Sequence, residues 1–102
     1  MFIARDSSGN VICARCGHRC EHLTRDHFVP MACKMNVNEE GNLVGLCREC
    51  NQEKGCLIVS PQWYIYLSEE QQKMLWRYLR YARRLLGDLC RDPELWEKIK
   101  AL

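Results

Sequence analysis

The sequence has little of what would place it in several common protein classes. Its 102 residues include only three prolines and six glycines, and its charges nearly balance at a net +2. No stretch of about 18 apolar residues occurs, so no transmembrane helix is predicted. A chain of this length forms about one domain. Barrel enzymes and enzymes with a cleft between two domains are therefore excluded.

Cysteine, in contrast, is abundant, with eight residues in the chain. So many cysteines in a small protein indicate either a disulfide scaffold or a metal site, and the redox compartment decides which. The start of the chain reaches Asp6 too early for a typical secretion signal. We therefore expect a cytoplasmic, reducing location without membrane association, free thiols, and a metal ion that stabilises a small core.

Residues 1–59 are predicted to form a small core of strands and one helix. A hairpin is expected around the turn-forming segment 6–10. β-Branched and aromatic residues predict a strand over 23–29 and a second short strand over 42–46, with a loop between them. A polar helix of about two turns should follow and end at Gly55, because glycine is common just after a helix.

Residues 60–102 are predicted to form a helical extension of the same single domain, so the fold class is α+β. A short helix with several aromatic residues is expected over 60–66. Ser68 begins a capping-box sequence, which predicts a long helix that ends at Gly87. An Asp-Pro sequence predicts a final helix over 92–102.

Four cysteines form two pairs with the spacing of metal ligands. Cys13 and Cys16 make one CxxC pair, and Cys47 and Cys50 make the other. Each CxxC turn presents two thiolates to one ion, and two turns complete the tetrahedron that Zn²⁺ prefers. Four thiolates leave no position for water, so we expect a structural zinc. The alternative is that these cysteines are buried as small apolar side chains.

The remaining cysteines have no such pairing. Cys56 and Cys90 are expected in the apolar core, and Cys33 falls in the predicted loop. Cys20, together with His18 and His22, can supply an alternative ligand for the first CxxC pair or hold a second ion. We favour the simpler interpretation, in which these three are ordinary loop residues.

Polar residues of a particular kind lie between and after the two CxxC pairs. Asp26 and His27 end the first predicted strand, Asn42 begins the next segment, and Asn51 directly follows the second CxxC pair. A carboxylate, an imidazole and two carboxamides near one hairpin can bind a hard divalent cation through oxygen and leave the histidine as a base. With the two CxxC pairs and these polar residues in this order, residues 13–55 resemble the HNH family of ββα-metal nucleases.

This resemblance implies an activity and a role for each matched residue. The activity would be hydrolysis of DNA phosphodiester bonds by an endonuclease or nickase. His27 would be the general base, with its imidazole oriented by Asn42. Asp26 and Asn51 would bind a catalytic Mg²⁺ or Mn²⁺. Many family members have histidine at the last position, so Asn51 makes the chain an H-N-N variant. Such nucleases occur in phages, mobile elements, restriction systems and toxins.

Basic residues supply candidate contacts to DNA phosphates. Three of them lie close to the HNH-like residues, and four recur on the long helix at intervals of four, three and four residues. They are Arg25, Arg48 and Lys54, followed by Lys73, Arg77, Arg80 and Arg84. The four on the helix either contact a phosphate backbone or form an ordinary solvated face. The opposite, apolar side of this helix, including Met74, Tyr81 and Leu85, is expected in the core.

Two other classes of protein fit the same sequence. One is a module without catalysis that binds nucleic acid or a protein through its zinc-stabilised core. The other is a nuclease-like domain that acts within a homodimer or as a component of a larger nucleic-acid machine. Cleavage of DNA in the presence of Mg²⁺ separates the first alternative from an enzyme.

Overall fold

A computed structural model describes residues 1–30, 40–90 and 92–101 and has the predicted α+β composition, with two small antiparallel sheets and three helices. Cys33 and most of the predicted loop lie outside the described residues. The strands are β1 (Ala4–Arg5), β2 (Val11–Ile12), β3 (Thr24–His27) and β4 (Leu43–Leu46). The helices are α1 (Arg48–Lys54), α2 (Glu69–Leu89) and α3 (Pro93–Ala101).

The first hairpin pairs β1 with β2, as predicted, around a turn organised by Asp6. Its carboxylate Oδ1 accepts hydrogen bonds of 2.9 Å from the backbone N–H groups of Ser8 and Asn10. An aspartate that binds the backbone two residues further on is a common way to form a turn. This hairpin leads the chain directly into Cys13.

The second sheet pairs β3 with β4 in antiparallel register, with Asp26 opposite Val44 and His27 opposite Leu43. Both strands are shorter than predicted, and every residue of β4 is buried. The N-terminal segment lies along β4, where the backbone N–H of Phe2 donates to Leu43 and Phe2 accepts from Gly45. A buried four-residue strand therefore supports elements on both of its edges.

Helix α1 follows β4 immediately and begins and ends as predicted. The Sγ of Cys47 accepts a hydrogen bond from the backbone N–H of Cys50, so this cysteine caps the helix N-terminus. Gly55 ends the helix with φ of 52°, a value that side chains other than glycine rarely adopt. Helix α1 packs against β3, which completes a strand–strand–helix unit.

The segment after α1 differs from the prediction in its first part. Only a 3₁₀ turn, Pro61–Trp63, forms where a short helix over 60–66 was expected. The capping box is confirmed, because Ser68 accepts from the N–H of Gln71 and the Gln71 side chain accepts in return from Ser68. Helix α2 continues past Gly87 to Leu89, and Asp92 caps the backbone at the start of α3.

The core side of α2 is narrower than the sequence predicted. Leu75, Leu79, Ala82 and Leu86 are buried at its centre. Met74, Tyr81 and Leu85 are wrongly predicted as core residues, since they are 45%, 51% and 38% exposed. A helix lying across a small core is covered along one stripe only, and apolar residues at the edge of that stripe remain in solvent.

Outside the CxxC pairs, Cys56 and Cys90 differ in how far they are exposed to solvent. Cys56 is exposed, contrary to prediction, because the chain turns outward at Gly55. Cys90 is partly buried and packs against the core, in line with its predicted place. No disulfide bond joins two of the cysteines in the described part of the chain. Over residues 1–30, 40–90 and 92–101, no helix combines the length and apolar character needed to cross a bilayer.

The first CxxC turn lies directly against the segment that precedes α2. The backbone N–H of Tyr66 donates to the carbonyl of Ala14 at 2.9 Å. Gly17 has φ of 76°, and a Cβ atom at this position would lie 2.5 Å from the Tyr66 ring. Glycine is therefore required at this position for two reasons, its backbone conformation and the ring above it.

Comparison with Gly9 separates these two reasons. Gly9 has φ of 82°, and a Cβ atom there meets nothing within 4 Å. Gly9→Ala should lower the free energy of unfolding by about 1–2 kcal/mol, the cost of a left-handed residue that is not glycine. Gly17→Ala should cost about 1–3 kcal/mol more because the ring must also shift. Equal losses for the two variants in denaturant titrations would show that Tyr66 does not constrain this turn.

Candidate functional site

The four CxxC sulfur atoms come together at one end of the strand–strand–helix unit. Cys13 follows β2 and Cys47 caps α1, and the Sγ atoms of Cys13, Cys16, Cys47 and Cys50 lie within 4.8 Å of one another. The first turn is closed by hydrogen bonds from Gly17 N–H to the Cys13 carbonyl and from Cys13 N–H to the His18 carbonyl. Both turns thus aim their thiols at a common point.

One of the sulfur–sulfur distances matches that around a tetrahedral metal ion. A Zn–S bond of about 2.3 Å implies Sγ–Sγ separations of about 3.8 Å in a regular tetrahedron. The Sγ atoms of Cys16 and Cys47 are 3.8 Å apart. Three of the four cysteines are buried and Cys16 is exposed. The four-cysteine cluster can therefore hold a metal ion such as zinc, with one ligand accessible to solvent.

The electrostatic surroundings of the thiols favour a bound cation. Burial raises the pKa of Cys13, but hydrogen bonds from the backbone N–H groups, including those of Cys16 and Cys47, together lower it by more than burial raises it. The net pKa of Cys13 is about 7. Burial and the neighbouring thiols raise the pKa of Cys50, and burial raises that of Cys47. One thiolate forms readily at neutral pH, while several together need a compensating positive charge.

Helix α1 and strand β3 are joined by two polar side-chain contacts. Thr24 and Asp26 share one face of the strand, and Asn51 and Lys54 share one face of the helix. The Nδ2 of Asn51 donates to Thr24 Oγ1 at 2.7 Å, and the Nζ of Lys54 lies 3.0 Å from Asp26 Oδ1. The structure therefore places Asp26 and Asn51 at the same strand–helix interface. Binding of an ion by these two residues stays a prediction.

Asp26 is part of a buried three-residue network. Asp26 is 2% exposed and Lys54 is 1% exposed, and the hydroxyl of Tyr64 donates a hydrogen bond to the second carboxylate oxygen. Burial raises the pKa of Tyr64, as does the adjacent negative charge of Asp26, so the phenol stays protonated as a donor. Both oxygens of Asp26 already have a partner within the protein.

His27 is half-buried at the end of β3, and the backbone around it is held from two sides. Its carbonyl accepts a hydrogen bond of 3.1 Å from the Nζ of Lys54. Asn42 is fully buried and binds both backbone groups of Val29, with Oδ1 accepting at 2.7 Å and Nδ2 donating at 3.0 Å. Asn42 therefore fixes the chain two residues beyond His27. Orientation of the imidazole by Asn42 stays a prediction.

The predicted phosphate contacts fall into two groups. One group is exposed on β3 and α1 and consists of Arg25 and Arg48. The other is exposed on α2 and consists of Lys73, Arg77, Arg80 and Arg84. Lys54 requires correction, because its ammonium group is buried in the ion pair with Asp26 and does not face solvent. A lysine near the end of a polar helix looks like a surface residue in the sequence, and only its partner across the interface shows otherwise.

Nothing in the sequence indicates that Tyr64 contacts Asp26. The two residues are 38 positions apart in the chain. Trp63, in the same segment as Tyr64, packs against the apolar core, and Arg15 lies over its ring and donates to its carbonyl. Cys20, His18 and His22 do not form a metal cluster: among groups of three or more His, Cys, Asp or Glu side chains in the described ranges, only the four CxxC cysteines lie close together. Cys20 instead donates to the carbonyl of His22.

Comparisons with family models, with curated proteins and with solved structures find no match to this chain. The HNH resemblance therefore depends on the motif residues of the sequence and stays a prediction.

Metal removal tests the four-cysteine cluster. We expect a competing zinc chelator to abolish most of the far-ultraviolet circular dichroism of the core and its cooperative melting, because four clustered thiols lose their shared ligand. One equivalent of Zn²⁺ should restore both signals. An unchanged spectrum and melting curve after complete metal removal would contradict this expectation.

A pair of cysteine variants provides the matched comparison. Cys16 and Cys56 are both exposed, but only Cys16 belongs to the cluster. Cys16→Ser should reduce the zinc content of the purified protein and its melting temperature, while Cys56→Ser should retain one zinc per chain. The measurement is elemental analysis combined with thermal denaturation.

The buried network gives a second prediction about stability. Lys54→Met leaves the Asp26 carboxylate buried without a cation and should lower the free energy of unfolding by about 3–5 kcal/mol. Tyr64→Phe removes one hydrogen bond to a charged group and should cost about 1.5–3 kcal/mol. Asp26→Asn combined with Lys54→Met should recover part of the first loss. A double variant no more stable than Lys54→Met would show that the unpaired carboxylate is not the cause.

Proposed function

We propose that the chain is a metal-dependent DNA endonuclease or nickase of the HNH type, with a structural zinc in its four-cysteine cluster. The observation that carries the proposal is the strand–strand–helix unit formed by β3, β4 and α1. This unit presents Asp26 and His27 at a strand end and Asn51 on the helix packed against that strand. The four thiols next to it would stabilise the same unit through a shared metal ion.

His27 has the chemistry of a general base for this reaction. Histidine is the side chain that exchanges protons near neutral pH, and a neutral imidazole accepts a proton from a water molecule that attacks phosphorus. The contacts of Lys54 and Asn42 hold the carbonyl of this residue and the backbone two residues further on. A rigid backbone keeps the imidazole at a constant position relative to a bound phosphate.

Asp26 and Asn51 are the residues that would hold the catalytic ion. A carboxylate and an amide carbonyl are oxygen ligands of the kind that Mg²⁺ and Mn²⁺ accept. Such an ion, when bound, stabilises the negative charge that develops on the phosphate. A carboxylate has about four acceptor positions, and Asp26 uses one on each oxygen for Lys54 and Tyr64. The donor atoms therefore match the ion in type, but Asp26 is buried, so a bound ion would have to displace the ammonium group of Lys54 from the carboxylate.

DNA contacts would come from arginines that surround this unit. Arg25 and Arg48 are exposed near the strand–helix interface, and the four basic residues of α2 extend the positive surface. Contacts of this kind position the backbone of DNA without reading its sequence. A single small module covers about 600–1,000 Å² of DNA-facing surface, so we expect weak sequence preference from one copy.

A module without catalysis is the second candidate, and the ion pair of Asp26 favours it. The Asp26 carboxylate is 2% exposed and its charge is already balanced by a buried lysine, so it needs no bound ion within the fold. In that case the zinc-stabilised core would present the arginines to a nucleic acid or a protein partner, and no cleavage would occur. A third possibility within the nuclease proposal is that DNA cleavage requires a partner protein or a second copy of this chain.

Plasmid nicking by the zinc-loaded protein tests the proposed function. We expect conversion of supercoiled DNA to nicked DNA with Mg²⁺ or Mn²⁺, and none when these ions are omitted. His27→Ala should lower the rate by about 10²–10⁴-fold, the usual contribution of a general base. His22→Ala is the matched control, because His22 is exposed and lies outside the site.

Zinc content and melting temperature should be the same for wild type and both histidine variants, so that lost activity reflects chemistry and not folding. Omitting the divalent ion is preferable to adding EDTA, which also removes zinc. Full activity of His27→Ala would exclude His27 from the mechanism. Absence of nicking by the wild-type protein would support the module without catalysis.

A further inference from the structure

The solvent-facing side of α2 carries more positive charge than its surroundings neutralise. Lys73, Arg77, Arg80 and Arg84 recur along one face of this helix and are all exposed. Among the ion pairs between described side chains, Lys73 has a carboxylate partner, Glu69, at 3.7 Å on the exposed surface, and the three arginines have none. An exposed ion pair such as Lys73–Glu69 is weak. The positive charge of this face therefore remains able to attract anions.

Trp76 adds an aromatic surface next to these charges. Lys73, Arg77 and Arg80 line, together with Trp76, an open groove of about 430 Å³. Trp76 is partly buried and packs against the apolar core. An indole held in this way is a fixed platform, since the packing that holds it restricts its rotation before any ligand arrives.

A ligand that suits this groove combines negative charge with a flat aromatic group. Unpaired nucleotides have both, because each offers a phosphate to the cations and the face of a base to the indole. In a duplex the faces of the bases are stacked on one another, so a tryptophan on a helix surface cannot reach them without disrupting the stack. The combination of residues therefore favours single strands over duplexes.

We propose that α2 binds single-stranded nucleic acid, with Lys73, Arg77 and Arg80 contacting phosphates and Trp76 stacking on a base. The biological meaning of this binding rests on the proposed nuclease function. It names the substrate class of that nuclease as DNA with an unpaired segment. The binding surface on α2 is separate from the strand–helix unit that contains His27. Cleavage and single-strand binding are therefore measurable independently.

Fluorescence anisotropy of a labelled 20-nucleotide dT strand tests this inference. The protein is the zinc-loaded His27→Ala variant without Mg²⁺, so no cleavage interferes. Trp76→Leu should weaken binding of the single strand about tenfold, within the range for loss of one stacked base. The same change should alter binding of a 20-base-pair duplex less than twofold. Trp96→Leu, a half-buried tryptophan on α3, is the matched control and should leave both affinities unchanged.

Salt dependence tests the charged part of the surface. Each phosphate contact to a single strand contributes about 0.7 to the slope of log affinity against log salt concentration. Arg77→Gln with Arg80→Gln should reduce this slope by about 1.4, and both positions are exposed, so folding should persist. Lys98→Gln, an exposed cation on α3, is the single-charge control and should leave the slope unchanged.

An abasic 20-mer distinguishes base stacking from simple attraction to a polyanion. It has the backbone charge of the dT strand without bases, so wild-type affinity for it should match that of Trp76→Leu for dT. Equal wild-type affinity for both strands, or equal losses on single strand and duplex, would overturn the proposal. A surface built for an acidic protein segment would give this result. Failure of plasmid nicking alone would overturn only the nuclease function.

Discussion

Four cysteine thiols within 4.8 Å of one another are the constraint on which the rest of this small structure depends. The first pair follows the β1–β2 hairpin and the second begins α1, so an ion shared by the four thiols would close the chain around the β3–β4 sheet. Closing a long loop before the core has formed removes much of the entropy that folding must otherwise overcome. A chain with a narrow apolar stripe on its longest helix has particular need of such closure.

The Asp26–Lys54–Tyr64 network is a second constraint, and it connects three parts of the chain. Strand β3 contributes the carboxylate, α1 the ammonium group and the segment before α2 the hydroxyl. Because a buried charge is costly without its partners, these elements must come together in one arrangement. The same lysine binds the carbonyl of His27, so the geometry of the proposed base is linked to the stability of the core.

Local signals in the sequence predicted local structure well. The CxxC pairs, the Gly55 helix end and the Ser68–Gln71 capping box act within a few residues, and the structure confirms the grouping of the cysteines and both helix ends. Long-range partners could not be predicted, because nothing near Lys54 or Tyr64 indicates that both meet Asp26. The exposed Met74, Tyr81 and Leu85 show that helical periodicity predicts an apolar side but not how much of it is covered.

The contact between Gly17 and the Tyr66 ring has a consequence for how this chain can change in evolution. Gly17 belongs to the first CxxC turn, and Tyr66 belongs to the segment that leads into the helical extension. Gly17 leaves the space that the Tyr66 ring occupies, and its left-handed backbone requires glycine on its own account. A recombination event that exchanged the extension would therefore remove the ring that lies over the first CxxC turn. Divergence is expected at Tyr66 before Gly17, because the backbone of Gly17 requires glycine whatever side chain lies above it.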